Sequence, residues 1–480
     1  MKEIKIKNFL EMDYDELEEQ NLEAKNKVLN REDPDSLREL YLNYLKDEKA
    51  LKAVTVCFTD LEGRLQMLDY DKKFLIDSYD NLTFDGSSVR GFTEVMESDL
   101  RLVIDWGSFR WLPADIFGPG KVLVFGVIRD RDGTAYESDM RARLIDLANE
   151  LYKQDQTVAN VAVECEGFLF DDVNAEQTFT SRTGFEPVST GGYFNSLPLD
   201  PLKQFIDLMA EGQRAMGLEN EKDHPEVAPS QFELNYKYAD VRVAADQVQL
   251  YKLIARQVAA NMGMTASFLP KPIDNINGNG MHTNLSISKG GKNVFYDANG
   301  QDGLSEFAWG FVDRLLNNAN DICLVMNSSV NSYRRLDPNF EAPNQIKSSA
   351  VDRTSMVRVP LANEKSARIE VRTVAPDANP YLLMYTLLET GLNGPVAEQM
   401  DTETRRSRTR FLPSNIYDSL RHFKGSQFLK ETLGEGTHAK FGSLKEASAN
   451  RCPKELGTMV KTEEILFHHD VTNQYIWGRF

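Results

Sequence analysis

The segment RIEVR, from Arg368 to Arg372, carries charged side chains at alternating positions. In an extended strand successive side chains point to opposite faces, so Arg368, Glu370 and Arg372 would share one face. The two apolar residues between them would point the other way. Buried charges are costly unless they are paired or ligated, so packing alone explains this pattern poorly. A carboxylate between two guanidiniums instead indicates a place that holds a metal ion and anionic substrates.

Two other segments place candidate metal ligands on predicted strands. In VAVECEGFLF, Glu164 and Glu166 would share a strand face. In GNGMHTNLSI, His282 would share a face with Asn284 and Ser286. Taken singly, each segment also fits a solvated strand face or a structural histidine, and spacing alone does not show that the segments converge.

A further segment, EVAPSQFEL, carries Glu226 and Glu233 on the two sides of a bend predicted at Pro229. Together with Glu370 and the strand residues above, the chain offers five carboxylates and one imidazole, with no thiolate. Such ligands favour Mg²⁺ or Mn²⁺ over a structural zinc ion. They suffice for two ions, which could clamp the phosphates of a nucleotide.

A second group of candidates is cationic. Guanidinium forks match the oxygens of carboxylates and phosphates, which makes this group notable in an acidic chain. For any single member the alternative is a surface salt bridge. The chain has neither GxxxxGK[ST] nor GxGxxG, so a P-loop and a dinucleotide fingerprint are both excluded. The members are Arg335, Arg353, Arg358, Lys365, Arg368 and Arg372.

Composition narrows the class of protein. The chain has 480 residues, is 41% hydrophobic and carries a formal net charge of -18. This charge argues against a general nucleic-acid binder or a protein of anionic membrane surfaces. No apolar window reaches membrane-spanning length, the first residues lack a signal-like core, and the four cysteines have no metal-like spacing. We therefore expect a cytoplasmic protein with no nucleic-acid partner and no membrane partner.

Seven segments, in order, resemble the motifs of the glutamine synthetase family of the bacterial and archaeal type I. They are FDGSSVRGF, VECEGFLF, HPEVAPSQFEL, KPIDNINGNGMHTNLS, NSYRRLDPNFEAPNQI, SAVDRTSMVRVP and KSARIEVRTVAPDANPY. The resemblance implies an α+β fold with a β-grasp domain, here residues 35–134, after an N-terminal extension, residues 1–34. A catalytic domain of residues 135–480 would follow, with a funnel of antiparallel strands surrounded by helices. Members assemble as dodecamers of two hexameric rings, in which neighbouring subunits share each active site.

The resemblance also implies a role for each matching residue. Asp85 would deprotonate ammonium, and Glu341 would lie on a flap that closes over the site. Two metal ions, Mg²⁺ or Mn²⁺, would be bound by two sets of ligands. One set is Glu166, Glu226 and Glu233, and the other is Glu164, His282 and Glu370.

The remaining matches would bind the substrates. Arg335, Arg372, Asn277, Gly278 and Glu166 would bind glutamate. Arg353 and Arg358 would neutralise the transferred phosphate, and Ser286, Lys365 and Arg368 would lie along ATP. The tyrosine expected in the ammonium pocket is not obvious, and Phe179 is the nearest candidate.

The activity implied is ATP-dependent ligation of ammonia to the γ-carboxylate of glutamate. A γ-glutamyl phosphate intermediate would be converted to glutamine, with release of ADP and phosphate. One alternative is a γ-glutamyl ligase for an organic amine, because family members differ in the amine pocket. Another is a non-catalytic relative, which would be expected to lack a metal ligand or the flap acid. Neither is missing here.

Overall fold

The computed structural model describes residues 12–93, 99–179, 184–195, 197–361, 363–396 and 410–450. These residues form a five-stranded sheet, a ten-stranded sheet and helices around both, which confirms the α+β prediction. No helix within these ranges is both long enough and apolar enough to cross a membrane.

The smaller sheet has the strand order β2-β1-β5-β4-β3. β1 is buried along almost its whole length, since its sequence AVTVCFT is apolar or β-branched at nearly every position. It pairs antiparallel with β2 and parallel with β5. The elements are β1 (Ala53–Thr59), β2 (Leu65–Asp71), α3 (Lys72–Ser78), β3 (Leu82–Asp85), β4 (Asp99–Trp111), α4 (Ala114–Phe117) and β5 (Lys121–Arg129).

Two helices precede this sheet, α1 (Tyr14–Leu29) and α2 (Pro34–Asp47). The sequence predicts a helix capped at Asp35–Ser36, but the N-cap is Asp33, whose side chain accepts from the Ser36 amide. The helix begins earlier because proline is favoured in the first turn.

Both helices pack against β4. The Tyr41 ring of α2 stacks on Phe109 with 4.5 Å between centroids. The Asn21 side chain of α1 exchanges two hydrogen bonds of 2.9 Å with the backbone of Trp111. It also donates to the carbonyl of Ala215, at the end of a helix of the larger domain. The N-terminal segment is therefore folded onto both domains.

The larger sheet has the order β13-β14-β15-β11-β6-β8-β7 and is antiparallel except where β13 meets β14. β9 and β10 pair with β6, and β12 pairs with β11. The strands are β6 (Thr157–Asp171), β7 (Asn220–Pro225), β8 (Gln231–Tyr236), β9 (Ala239–Asp240), β10 (Met264–Ser267), β11 (Met281–Lys289), β12 (Lys292–Asn293), β13 (Gln345–Ser349), β14 (Ser355–Arg358) and β15 (Ile369–Val371).

Helices cover the apolar face of this sheet. Burial alternates along most of β6, with Val163 and Cys165 buried in the core and Glu164 and Glu166 on the opposite, less buried face. Tyr251 of α8 donates to the Cys165 carbonyl at 2.7 Å, so this helix supports the core side of β6. The opposite, polar face of the larger sheet is therefore available for a functional site.

The helices of the larger domain extend to the end of the described chain. The sequence from about Leu412 predicts a mostly helical C-terminal part. This is confirmed up to residue 450, while residues 451–480 lie outside the described ranges. The helices are α5 (Met140–Asp155), α6 (Ala175–Thr178), α7 (Pro201–Ala215), α8 (Val241–Asn261), α9 (Glu306–Asn317), α10 (Ala319–Met326), α11 (Val330–Arg335), α12 (Pro380–Asn393), α13 (Ile416–Gly425), α14 (Gln427–Leu433) and α15 (Glu435–Asn450).

The turn after β1 joins the two domains. Asn379 donates to the carbonyls of Asp60 and Leu61, at 3.3 and 3.2 Å. Glu62 is buried in the same turn and pairs with Lys445 of α15 at 3.0 Å. The relative position of the sheets therefore depends on buried polar contacts.

Candidate active site

Three neighbouring strands bring together a first cluster of ligand atoms. Glu164 of β6, His282 of β11 and Glu370 of β15 each offer one atom, and these atoms lie within 4.8 Å of one another. His282 Nδ1 is 3.4 Å from Glu164 and 3.8 Å from Glu370. The register explains the meeting, because His282 is directly opposite Glu164 and Asn284 is directly opposite Glu370.

Charge and hydrogen bonding dominate this first cluster. Burial alone would raise the pKa of Glu164, but the hydrogen bond and charge of His282, together with Asn284, lower it to about 2. Burial opposes protonation of His282, yet the hydrogen bond with Glu164 raises its pKa. Glu370, only 1% exposed, accepts from Arg358 at 2.7 Å. The cluster thus favours the ionised form of Glu164.

A second cluster lies where β7 turns into β8. Ligand atoms of His224, Glu226 and Glu233 also lie within 4.8 Å of one another. The imidazole is 3.7 Å from Glu226 and 3.6 Å from Glu233. Glu166 faces Glu233 across the β6–β8 pairing, and its carboxylate accepts from the Gly280 amide at 2.7 Å.

Like charges crowd this second cluster. Burial, then the charges of Glu166 and Glu233, raise the pKa of Glu226 to about 8. Burial also raises the pKa of Glu166, with Glu233 adding to the effect. Carboxylates whose pKa is raised by burial and by neighbouring negative charges form a favourable environment for a cation.

Both clusters fit a divalent cation by their donor chemistry. Oxygen donors with one imidazole each suit Mg²⁺ or Mn²⁺. His224 Nε2 is buried, and within the described residues it has no hydrogen-bond partner. Buried polar atoms are rarely left without a partner, so this nitrogen indicates an absent ligand.

Two buried arginines lie beside the clusters. Arg335, 2% exposed at the end of α11, donates to the Arg372 carbonyl at 3.0 Å, and burial lowers its pKa to about 10. Arg372 is 6% exposed, and its Nη1 lies 3.6 Å from Glu370. In the described part of the chain, Arg335 Nη1 and Arg372 Nε are buried without an acceptor. Both therefore have donors left for an anionic substrate.

A glycine-containing loop closes one side of the site. A Cβ on Gly278 would lie 2.3 Å from the Pro270 carbonyl oxygen, and one on Gly280 would lie 2.6 Å from Arg335 Nη2. Only glycine allows this approach. The preceding residue, Asn277, donates to Glu341 at 2.9 Å, so the loop contacts the predicted flap. Glu341 has a left-handed backbone conformation with a φ of 61°.

Most of the predicted nucleotide residues surround one cavity of about 710 Å³, next to the first cluster. Arg368 lines it and donates through Nε to Asn284 at 2.9 Å. Arg358 is instead held by Glu370, and Arg353 is exposed on the loop between β13 and β14. The cavity residues named by the sequence are Ser286, Lys365 and Arg368.

Asp85 does not join the clusters within a single chain. It is the last residue of β3, and its described hydrogen bonds are with its own turn, from the Ser87 amide and hydroxyl and the Ser88 hydroxyl, at 2.6 to 3.0 Å. Those bonds lower the pKa of the exposed carboxyl. Asp85 is thus an ionised, solvent-facing acid on the smaller sheet.

Sequence reasoning missed two residues. His224 precedes Glu226 by two positions in HPEVAPSQFEL, and strand alternation could have identified it as a neighbour. Tyr193 in GGYF packs edge-on against His224, with 5.7 Å between ring centroids. Phe179, the candidate for the amine pocket, is buried and stacks on Phe185 at 4.6 Å. Phe194 also packs edge-on against His224, at 5.0 Å, so Tyr193 and Phe194 both contact the second ligand cluster.

Comparison with known proteins agrees with this geometry. A family model described as the glutamine synthetase catalytic domain matches residues 137–460, and one described as the glutamine synthetase β-grasp domain matches residues 50–128. The predicted combination of a β-grasp domain with this catalytic domain is thereby confirmed.

Three proteins are similar over most of the chain. A glutamine synthetase of Clostridium saccharobutylicum is 36% identical over 430 residues, 85% of this chain and 94% of its own. One of Methanosarcina mazei is 35% identical over 417 residues, 83% and 91% of the two chains. A solved structure of a GmaS/ADP complex is 26% identical with a TM-score of 0.74, covering 88% of this chain and 98% of its own.

Proposed function

This chain belongs to the glutamine synthetase family, and we propose that it ligates ammonia to the γ-carboxylate of glutamate with conversion of ATP to ADP and phosphate. The family generally uses ATP and a divalent metal ion. One structural observation is the main support for this proposal. Two clusters of carboxylate and imidazole ligands lie beside two buried arginines, each with one nitrogen that has no acceptor among the described residues.

We assign one divalent ion to each cluster. Glu164, His282 and Glu370 would hold the first. The second would be held by Glu166, Glu226 and Glu233, with His224 as a further ligand or a close neighbour. When bound, Mg²⁺ or Mn²⁺ supplies positive charge that orients the phosphates and stabilises the negative charge of phosphoryl transfer.

The buried arginines position glutamate. Arg335 and Arg372 can donate to its carboxylates through the nitrogens that have no acceptor in the described chain. The Asn277–Gly278 backbone is assigned to the amino group, because its neighbour Gly280 brings the loop against Arg335. Fixing both ends of glutamate directs the γ-carboxylate towards the nucleotide, and such positioning is a large part of catalysis.

The first chemical step forms γ-glutamyl phosphate. A γ-carboxylate oxygen attacks the γ-phosphorus of ATP, and the bond to the β,γ-bridging oxygen breaks to release ADP. Arg353 and Arg358 would neutralise charge on the transferred group, while Ser286, Lys365 and Arg368 bind ATP along the 710 Å³ cavity.

The second step forms the amide. Asp85 accepts a proton from ammonium, and the resulting ammonia attacks the γ-carbonyl carbon, releasing phosphate. Its low pKa keeps Asp85 ionised and able to attract ammonium. Glu341, held by Asn277, is assigned to the flap that excludes water from the acyl phosphate.

The separation of Asp85 from the clusters supports an oligomer with shared sites. Asp85 is exposed and contacts only its own turn in the described chain, so a base role at the clusters requires the Asp85 of a neighbouring subunit. We propose a dodecamer of two hexameric rings in the cytoplasm.

Phosphate release by the purified protein tests this function. With Mg²⁺ or Mn²⁺, ATP and glutamate, we expect release to depend on ammonium. Asp85→Ala should retain ATP binding and lose glutamine formation. Turnover with an alkylamine or polyamine but not with ammonium would contradict the ammonia assignment, and no turnover with any amine would contradict the enzymatic role.

A further inference from the structure

A cavity of about 490 Å³ lies beside the N-terminal helices and shares no lining residue with the ligand clusters. Its walls come from the α1–α2 connection, from β4 of the smaller sheet and from α5 and α8 of the larger domain. The volume is within the usual range of small-molecule sites. None of the residues assigned to the reaction above lines it.

One wall contains a buried guanidinium without a carboxylate partner. Arg110 of β4 is 6% exposed, and its one hydrogen bond within the described residues is donated to the Phe109 carbonyl at 2.7 Å. Among the described residues, no carboxylate oxygen lies within ion-pairing distance of the Arg110 guanidinium. Such a charge is unfavourable in a protein interior unless something compensates it.

The other guanidiniums of this cavity are compensated. Arg141 contacts both Asp105 and Asp246 at 2.7 Å. Arg31 and Arg242 both pair with Asp240, at 3.4 and 3.0 Å. Even so, Arg141 Nη1 is buried and has no acceptor among the described residues. Two neighbouring guanidiniums on the cavity wall therefore have donors that no described protein group accepts.

The rest of the lining limits the class of ligand. Val28, Leu37, Val103, Trp106 and Ile145 contribute apolar wall. Five acids also line the cavity. Asp35 pairs with Arg38, and Asp105 and Asp246 pair with Arg141. Glu32 and Asp80 are the other two, and they would repel a polyanion. A guanidinium fork suits a single carboxylate, which it can bind through two hydrogen bonds.

We propose that this cavity is a binding site for a small monocarboxylate with an apolar body, whose carboxylate pairs with Arg110. The apolar part then lies against the walls contributed by both domains and the N-terminal helices. Since the site joins three parts of the fold, an occupant that binds only the folded state stabilises it.

The test uses a pair of probes that differ in charge. 4-Methylpentanoate and its neutral amide, 4-methylpentanamide, are titrated calorimetrically into the full-length protein. Glutamate is present at saturation, so that Arg335 and Arg372 are occupied. We expect saturable binding of the acid, about tenfold or more stronger than that of the amide, and a concentration-dependent rise in Tm.

Two variants locate the binding. Arg110→Gln should weaken binding of the acid about tenfold or more, whereas Arg421→Gln, at a position where the side chain is 75% exposed, should leave it unchanged. Val103→Trp should block the cavity without removing a charge, and it is tolerable because Val103 is 44% exposed.

Three results would overturn the proposal. They are absence of saturable binding of the acid, equal binding of the amide, and undiminished binding in both Arg110→Gln and Val103→Trp. None of these depends on turnover, so the proposed ligase activity and this site are tested separately.

Discussion

At the scale of single residues, the site is a set of charges that compensate one another incompletely. Glu370 is almost fully buried and is shared by Arg358, Arg372 and His282. His224, by contrast, has a buried ring nitrogen with no hydrogen-bond partner in the described chain, and the Glu233 carboxylate lies 3.6 Å from it. The compensated residues form the frame of the site, and the uncompensated atoms indicate where cation and substrate bind.

His224 gives a prediction at this scale. His224→Asn should weaken Mn²⁺ binding on the order of tenfold or more, because the imidazole either ligates the ion or orients Glu226 and Glu233. Electron paramagnetic resonance of free Mn²⁺ measures the affinity. His422→Asn, in the last turn of α13, is the matched control. Equal Mn²⁺ affinity of the His224 variant and the control would remove His224 from the metal site.

Strand alternation predicted which of these side chains share a face, but not which strands are neighbours. Glu164 and Glu166 do lie on the less buried face of β6. Nothing in their spacing shows that His282 lies opposite Glu164, since register and strand order depend on contacts between distant segments. The arrangement of the clusters was expected only through the family resemblance, and that resemblance omitted His224.

At the scale of elements, a lysine contacts both the glycine-containing loop and the segment proposed as the flap. Lys271 is 3% exposed, and its ammonium group lies 4.0 Å from the centroid of the Phe340 ring. It also donates to the Ile276 carbonyl of the glycine-containing loop. Lys271 thus connects this loop to the short turn Pro338–Phe340, which precedes Glu341.

Lys271→Met should loosen the flap. Cation–π contacts and a buried hydrogen bond each contribute about 1 kcal/mol, so we expect several-fold more phosphate release that is not coupled to glutamine formation. The measurement is the ratio of phosphate to glutamine at saturating ammonium. Lys289→Met removes a lysine near Phe307 on an exposed strand end and should keep the ratio at one. A ratio of one in Lys271→Met as well would refute the flap role.

Local sequence signals were insufficient to predict how the N-terminal helices pack. A helix over residues 36–49 was predicted and corresponds to α2, Pro34–Asp47, whereas the packing of α1 on two domains was not predicted. Asn21 determines that packing through hydrogen bonds to Trp111 and Ala215, and a single asparagine in a charge-rich helix gives no indication of such distant partners.

At the scale of the whole molecule, the two domains are joined by buried charge. The Glu62 carboxylate is 3% exposed and lies between Lys445 at 3.0 Å and Arg90 at 2.7 Å. A buried pair adds little when intact, but removing Lys445 leaves the buried Glu62 carboxylate with only the partly exposed Arg90 as countercharge.

Lys445→Met should therefore lower the free energy of unfolding by about 3 kcal/mol. Urea denaturation measures the loss. Lys424→Met removes an exposed partner of Glu446 and should change stability by less than about 1 kcal/mol. Similar losses in the two variants would show that the Glu62 contact does not stabilise the domain interface.

Shared active sites predict complementation between two inactive variants. Asp85→Ala retains both clusters, and Glu370→Gln retains the base. If each site takes Asp85 from a neighbouring subunit, equal random mixing should restore about a quarter of the wild-type activity. The activity of co-expressed, co-purified variants is the measurement. Activity no higher than that of the separate variants would place Asp85 and the clusters in the same subunit.

We propose above all that the two clusters, the buried arginines and Asp85 together make an amide from ammonium. Nuclear magnetic resonance with ¹⁵N-labelled ammonium, ATP, glutamate and Mg²⁺ tests it most directly. We predict that the label enters the side-chain amide of glutamine, with one ADP formed for each amide. ADP formation without labelled glutamine, or no reaction of the intact protein, would contradict the account.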